Sequence, residues 1–190
     1  MFARTERLLL RHGWHEDAPA LAQAIGDGAI VRNLARAPWP YGEQDATDYL
    51  ARDKDPLLPD FLIFSRTLGA PRLIGGCGIS RNEEGEMELG YWIARPYWGL
   101  GFATEAVRAV MRIARATGLS GIAAGHFLDN PASANVLRKI GFKPTGRIEQ
   151  RHSIGRGTRV ATAIFEQGEE VAMPQTFSDD LYSDARPLAA

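Results

Sequence analysis

The spacing of apolar positions changes several times along the chain, and each change predicts an element. Leu8, Leu9 and Leu10 between Arg7 and Arg11 predict a short strand over residues 7–11. Glu16 and Asp17 then open a helical stretch to about Ile25, with the acids in the first turn where the helix dipole favours them. Gly26 and Gly28 break it. Residues 29–37 predict a second short helix, stopped by Pro38 and Pro40, and residues 43–52 a third. Residues 61–66, 73–80 and 86–93 read as three strands joined by turns, hence an antiparallel meander. In the last of these Met87, Leu89, Tyr91 and Ile93 face one way, and Glu86, Glu88, Gly90 and Trp92 the other.

Beyond Ile93 the period lengthens. Ala103, Ala106, Val107, Val110, Ile113 and Ala114 mark a long helix that Gly118 ends. Residues 121–127 form a small-residue strand. Asn130 caps a second helix with Pro131 at its first position and Gly141 as its stop. Residues 146–154 and 158–165 predict a hairpin around Gly155, Arg156 and Gly157. A strand, a helix and a second strand in sequence place the two strands parallel. The predicted class is therefore α+β: a mixed, mostly antiparallel sheet, flanked by helices, with one parallel pair where the meander meets the second half. Residues 1–166 form one domain, and residues 167–190 read as an acidic, proline-containing tail without periodicity.

Composition narrows this picture. The chain has 190 residues, 45% hydrophobic and 24% charged, as expected of a single globular domain. A net charge of −1 gives no global attraction to nucleic acid or anionic membrane. Arg147, Arg151, Arg156 and Arg159 lie close in sequence and read either as solvated positions on two strands or as a local basic patch. The single cysteine, Cys77, excludes an intramolecular disulfide. The first residues lack the pattern of a signal peptide, and no apolar run approaches the roughly 18 residues of a spanning helix. A cytoplasmic protein without membrane or nucleic-acid partners is expected, as monomer or homodimer.

The chemistry concentrates in residues 88–105, where a strand runs through a glycine-bearing loop into a helix. The helix start offers free backbone N–H groups and a positive dipole end, and Gly99 and Gly101 remove side chains that would block close approach. Such a loop is either a phosphate seat or a tight turn. It is not a G-x-x-x-x-G-K-[ST] loop, and its third position, Thr104, departs from the dinucleotide fingerprint. The histidines show no metal-ligand spacing with acids or thiols, so no metal is expected. Trp39 and Tyr41, between prolines, either line an acceptor site or form a packed loop.

Three segments in order, residues 88–92, residues 98–106 and the run from Asn130 to Phe142, resemble the GNAT superfamily of acyl-CoA N-acyltransferases. Together with Thr5-Glu6-Arg7-Leu8-Leu9-Leu10-Arg11 they are similar to its ribosomal-protein N-acetyltransferase (RimJ/RimL-type) branch. The likeness covers residues 5–165. It implies that the parallel pair splays and that acetyl-CoA lies in the gap. Backbone groups at Tyr91, Trp92 and Ile93 would pair with the pantetheine arm. Trp98, Gly99, Leu100, Gly101, Phe102, Ala103 and Thr104 would hold the pyrophosphate. Trp98 stands where the family is usually polar.

The activity implied is transfer of an acetyl group to a primary amine, either a protein N-terminus or a small amine. Glu88 matches the family's strand carboxylate and is the candidate general base on that match; as a residue of this sequence alone it reads rather as a solvent-facing strand position beside Glu86. Ser133 is the candidate proton donor to the thiolate or a first-turn hydroxyl, and Asn130 an N-cap, a pantetheine contact or both. The tyrosine that many members carry after the last helix has no counterpart near Gly141 and Phe142. That absence leaves a non-catalytic acyl-CoA-binding or partner-binding module as the alternative, with an ATP- or NAD-binding protein as a third reading.

Overall fold

A computed structural model describes residues 1–67, 69–82 and 84–168. One eight-stranded sheet organises them. Its strands are β1 (Phe2–Arg4), β2 (Leu8–Arg11), β3 (Asp60–Ser65), β4 (Arg72–Arg81), β5 (Met87–Ile93), β6 (Ala123–Phe127), β7 (Phe142–Ser153) and β8 (Thr158–Gln167). The spatial order is β1-β2-β3-β4-β5-β6-β8-β7. Every pairing is antiparallel except β5 with β6. The helices are α1 (Ala18–Ile25), α2 (Gly28–Val31), α3 (Glu43–Ala51), α4 (Phe102–Ala116) and α5 (Pro131–Lys139).

Strand alternation sorts the sheet's side chains between two helical layers. Leu8, Leu10, Phe61, Ile63, Ile79, Leu89 and Ile93 pack with Ala106, Val107 and Val110 of α4 and Leu137 of α5. On the opposite face Leu62 and Phe64 pack with Ala18 and Leu21 of α1 and Ala46 of α3. β3 is thus buried on both faces, which explains its unbroken apolar run. Each large side chain so enclosed contributes about 1.5–3 kcal/mol. Trp92 of β5 lies on the α1–α3 side. Its indole lies over Gly76 of β4, where an added Cβ would come 2.6 Å from Nε1. Gly76 thus makes room for a neighbouring aromatic ring.

Three details differ from the sequence pattern. The second helix is one turn, Gly28–Val31, rather than nine residues. The carbonyls that would have extended it are taken by the β7–β8 hairpin: Arg32 O accepts from Arg156 Nε, Leu34 O from Ser153 Oγ and Ala35 O from Ile154 N. β7 begins at Phe142, ahead of Gly146, because a register shift between Pro144 and Ile148 with Gly146 at φ 80° absorbs the irregularity without ending the strand. β1 is an additional edge strand; its three residues, with an exposed Phe2, carry no alternation to read. β8 runs through Gln167, whose N–H donates to Ile122 O, and the rest of the predicted tail beyond Gly168 lies outside the described residues.

Candidate active site

β5 and β6 pair only at Glu88 with Ala123 and Leu89 with Ala124. Past those positions β5 continues to Ile93 and β6 to Phe127 without pairing, so the sheet opens into a slot edged by free backbone groups. A cavity of about 1180 Å³ occupies the slot and extends over α3 and β4. That exceeds the range of about 300–1,000 Å³ typical of a site for one small ligand. Two substrates can therefore be accommodated together.

One side of the cavity is built mainly from backbone. The chain leaves β5 through a turn at Arg95–Tyr97 and enters α4 at Phe102. Gly99 and Gly101 have φ of 76° and 81°, the left-handed region that side chains strain to adopt. Gly101 is the N-cap of α4 and supplies no side-chain bond, so the first N–H groups of the helix stay open toward the cavity. Trp98, Gly99, Gly101, Phe102, Ala103 and Thr104 all line it. Leu100 does not, and it is exposed. The Trp98 indole N–H donates to Ile93 O at 2.6 Å and ties the loop to the strand end, so one carbonyl expected to meet pantetheine already has a partner.

The α5 end closes this side. Asn130 caps the helix by accepting from Ser133 N at 3.3 Å. The Ser133 hydroxyl is not spent on capping. Its Oγ lies 2.8 Å from the Tyr91 hydroxyl, which also donates to Ser133 O at 3.0 Å. Burial pushes the Tyr91 phenol up, against the pull of Ser133, so it stays protonated across neutral pH. A tyrosine hydroxyl is therefore present, supplied by β5 rather than by the segment after Gly141. The alternation had placed Tyr91 on one side with Leu89 and Ile93, which the structure turns toward α4 and α5, but nothing local shows that Ser133, 42 residues on, meets it.

The opposite side is built from side chains. Glu88 lies on the Trp92 face of β5, and its Oε1 forms an ion pair with Arg151 Nη1 of β7. Arg151 Nη2 also holds Glu149 at 3.0 Å. Burial works to lower the Arg151 pKa, but the two carboxylates more than offset it. Gly125 of β6 leaves the space for this pair, since a Cβ there would approach Arg151 Nη1 to 3.1 Å and Glu88 Oε1 to 3.3 Å. Tyr41, Asp45, Asp48 and Arg52 from the α3 region and Asp60 from β3 complete the wall. Asp60 receives the Tyr49 hydroxyl at 3.2 Å and the Lys54 ammonium at 2.6 Å.

Of the four clustered arginines, Arg147 pairs with Glu166, Arg151 as described, and Arg156 with Asp129, so at least three serve ion pairs within the fold. Tyr41 lines the cavity, whereas Trp39 packs by Gly28 and is half exposed. Cys77 is buried and its thiol is pushed far up, first by burial and then by Asp60, which suits packing rather than nucleophilic attack. Arg151 is the site residue that sequence reasoning could not place: it lies 63 positions from Glu88 on a strand that is not its neighbour.

A mixed sheet that splays at its one parallel pair, with a glycine loop opening a helix beside it, places the chain among the acetyltransferases. The chain belongs to the GNAT acetyltransferase family, whose domain matches residues 7–143. It is 38% identical over 167 residues to the uncharacterized N-acetyltransferase YoaA of Bacillus subtilis, covering 85% of this chain and 93% of that protein. It is 30% identical over 152 residues to the uncharacterized N-acetyltransferase p20 of Bacillus licheniformis, covering 75% and 82%. A GNAT-family acetyltransferase from Bacillus anthracis shares the fold at TM-score 0.73, with 21% identity over 87% of this chain and 97% of that one. The microcin C7 self-immunity acetyltransferase MccE, solved with acetyl-CoA and AMP, does so at 0.70, with 16% identity and 85% and 92% coverage. The ribosomal L7/L12 alpha-N-protein acetyltransferase RimL, solved with coenzyme A, does so at 0.70, with 18% identity and 87% and 97% coverage. The protein is an acetyltransferase. Among the described residues no helix is long and apolar enough to cross a membrane.

Proposed function

We propose that this acetyltransferase carries an acetyl group from acetyl-CoA to a primary amine by direct attack, with Glu88 and Ser133 handling protons on opposite sides of the slot. The observation that carries the reading is the placement of these two groups. Glu88 lies on the α1–α3 face of β5, while Tyr91, which holds Ser133, lies on the α4–α5 face. An acyl group seated in the slot would have the carboxylate toward the amine and the hydroxyl toward the sulfur.

The open N–H groups from Gly99 to Thr104 suit the pyrophosphate, and the edge at Tyr91, Trp92 and Ile93, apart from the Ile93 carbonyl that Trp98 holds, suits the pantetheine amides, with Asn130 beside them. Acetyl-CoA in MccE and CoA in RimL support this donor. In the reaction the amine nitrogen bonds to the carbonyl carbon and the carbon–sulfur bond breaks. From the neutral amine one proton leaves nitrogen and one arrives on sulfur; an acceptor bound as its ammonium first gives a further proton to solvent. Glu88 takes the first, directly or through water. Arg151 fixes Glu88 through Oε1, and Oε2 accepts no hydrogen bond among the described residues. Ser133 supplies the second proton, oriented by Tyr91. A backbone N–H at the end of β5 stabilises the tetrahedral oxyanion. The aspartates along α3 suit a cationic amine acceptor, whether a peptide N-terminus or a small amine.

Glu88→Gln tests the reading. Turnover with an amine acceptor should fall about 100-fold, while calorimetric affinity for acetyl-CoA stays at the wild-type value. Turnover equal to wild type would remove Glu88 from the chemistry. A purified, folded protein that binds no acetyl-CoA would remove the donor assignment.

A further inference from the structure

The two motifs that the reaction does not use, Thr5-Glu6-Arg7 and the Glu105 that follows Thr104, meet in space. Glu105 Oε1 accepts from Thr5 Oγ1 at 2.6 Å and from Arg7 N at 3.0 Å. Glu105 Oε2 accepts from Arg7 Nε at 2.7 Å. Arg7 Nη1 then donates to Leu100 O at 3.0 Å, and its guanidinium lies 4.4 Å over the Phe102 ring. One planar side chain therefore grips the carboxylate of α4, the middle carbonyl of the glycine loop and the first residue of the helix.

The loop needs such a grip. Gly99 and Gly101 flank Leu100, nothing lies within 4 Å of where a Gly99 Cβ would sit, and Gly101 gives α4 no side-chain cap. The Leu100 carbonyl and the Gly101 N–H belong to one trans peptide and point in opposite directions. Holding the carbonyl on Arg7 turns the N–H away from Arg7. The lining agrees: Gly101 faces the cavity, and Leu100 does not. Charge adds a second reason. Glu105 in the first turn favours the helix but would repel a phosphate bound at its start; Arg7 cancels that charge at contact distance.

Resting on the donor assignment above, we infer that Arg7, braced by Glu105 and Thr5, is a positioning residue that sets the Gly99–Phe102 turn for the diphosphate of the donor. It acts on recognition of the nucleotide half of acetyl-CoA rather than on the chemical step.

The test compares acetyl-CoA with S-acetylpantetheine, which has the same thioester and no diphosphate. Arg7→Ala should raise KM for acetyl-CoA about tenfold, hold kcat within twofold, and cut the preference for acetyl-CoA over S-acetylpantetheine by the same tenfold. Thr5→Val, a milder change, should move the same ratio two- to threefold. Arg7→Lys should not restore it, because an ammonium cannot reach Glu105 and Leu100 O in one fixed plane. Equal loss with both donors in Arg7→Ala and Thr5→Val would mark a merely structural role and overturn the inference, as would full rescue by lysine. A wild-type protein that turns over both donors with equal kcat/KM would sink the diphosphate seat itself, and the inference with it.

Discussion

The two walls of the cavity are made from different materials. The α4 wall presents backbone N–H groups at a helix start, kept open by glycines at positive φ. The α3 and hairpin wall presents charged side chains locked to one another: Glu88 with Arg151 and Glu149, Asp60 with Lys54 and Tyr49. On the proposed reading, the backbone wall recognises the donor that every turnover shares, its N–H groups placed by the glycine turn and the Arg7 brace. A wall of side chains can be rewritten without disturbing the fold. The contrast predicts opposite sensitivities: the first wall to added atoms, the second to removed charge.

The largest expected effect is at Gly101. A valine there meets little steric obstruction, since its nearest neighbour is the end of Arg7 at 3.6 Å, but φ of 81° strains any branched residue. Gly101→Val should lose about 100-fold in acetyl-CoA affinity, measured by calorimetry, and about 1–2 kcal/mol in stability. If affinity survives, the N–H groups of this turn do not hold the donor. Next comes Tyr91→Phe, which leaves the Ser133 hydroxyl without its partner. A kcat about tenfold lower with acetyl-CoA KM little changed is expected in steady-state assays. A rise in KM alone would reassign Tyr91 to donor binding. Outside the cavity lining, Asp129→Asn weakens the clasp with Arg156 and Arg32 that secures the hairpin to the α2 segment. Its effect should be two- to threefold in acceptor KM, with donor affinity unmoved.

The same contrast explains what could be read from the chain. The meander, the parallel pair, α4 and the Asn130 cap follow from local rules: alternation of period two, apolar spacing of 3.6, glycine and proline at element ends. The open helix start was legible because it is backbone geometry set by Gly99, Gly101 and the start of α4. The side-chain pairings around the cavity were not. Arg151 finds Glu88 only because β8 inserts between β6 and β7 and a side chain spans it. Tyr91 finds Ser133 only because α5 packs over the slot. The short α2 shows tertiary bonds overriding propensity: residues 32, 34 and 35 give their carbonyls to Arg156, Ser153 and Ile154 rather than to a helix. No single stretch of sequence contains either half of such a bond together with its partner.

Acid offers the finest separation of the two walls. Burial works to raise the Glu105 pKa, but the bonds from Thr5 and Arg7 bring it below the usual glutamate value of 4.5. Asp129 is also lowered, chiefly by Arg156. A carboxyl whose folded pKa lies below its unfolded one stabilises the fold above the unfolded value. That contribution disappears as pH falls through the folded one. The Glu105 contribution should therefore fade below about pH 4.5, and the Asp129 contribution only below about pH 3.8. The Glu105 side chain is 18% exposed and that of Asp129 43%, so solvent screens the second pair more strongly. Denaturant unfolding at pH 7 and pH 3.5 should show Glu105→Gln flattening the acid loss of stability more than Asp129→Asn does. The reverse order would place the acid-sensitive brace on the hairpin side and weaken the view that Glu105 anchors the donor turn.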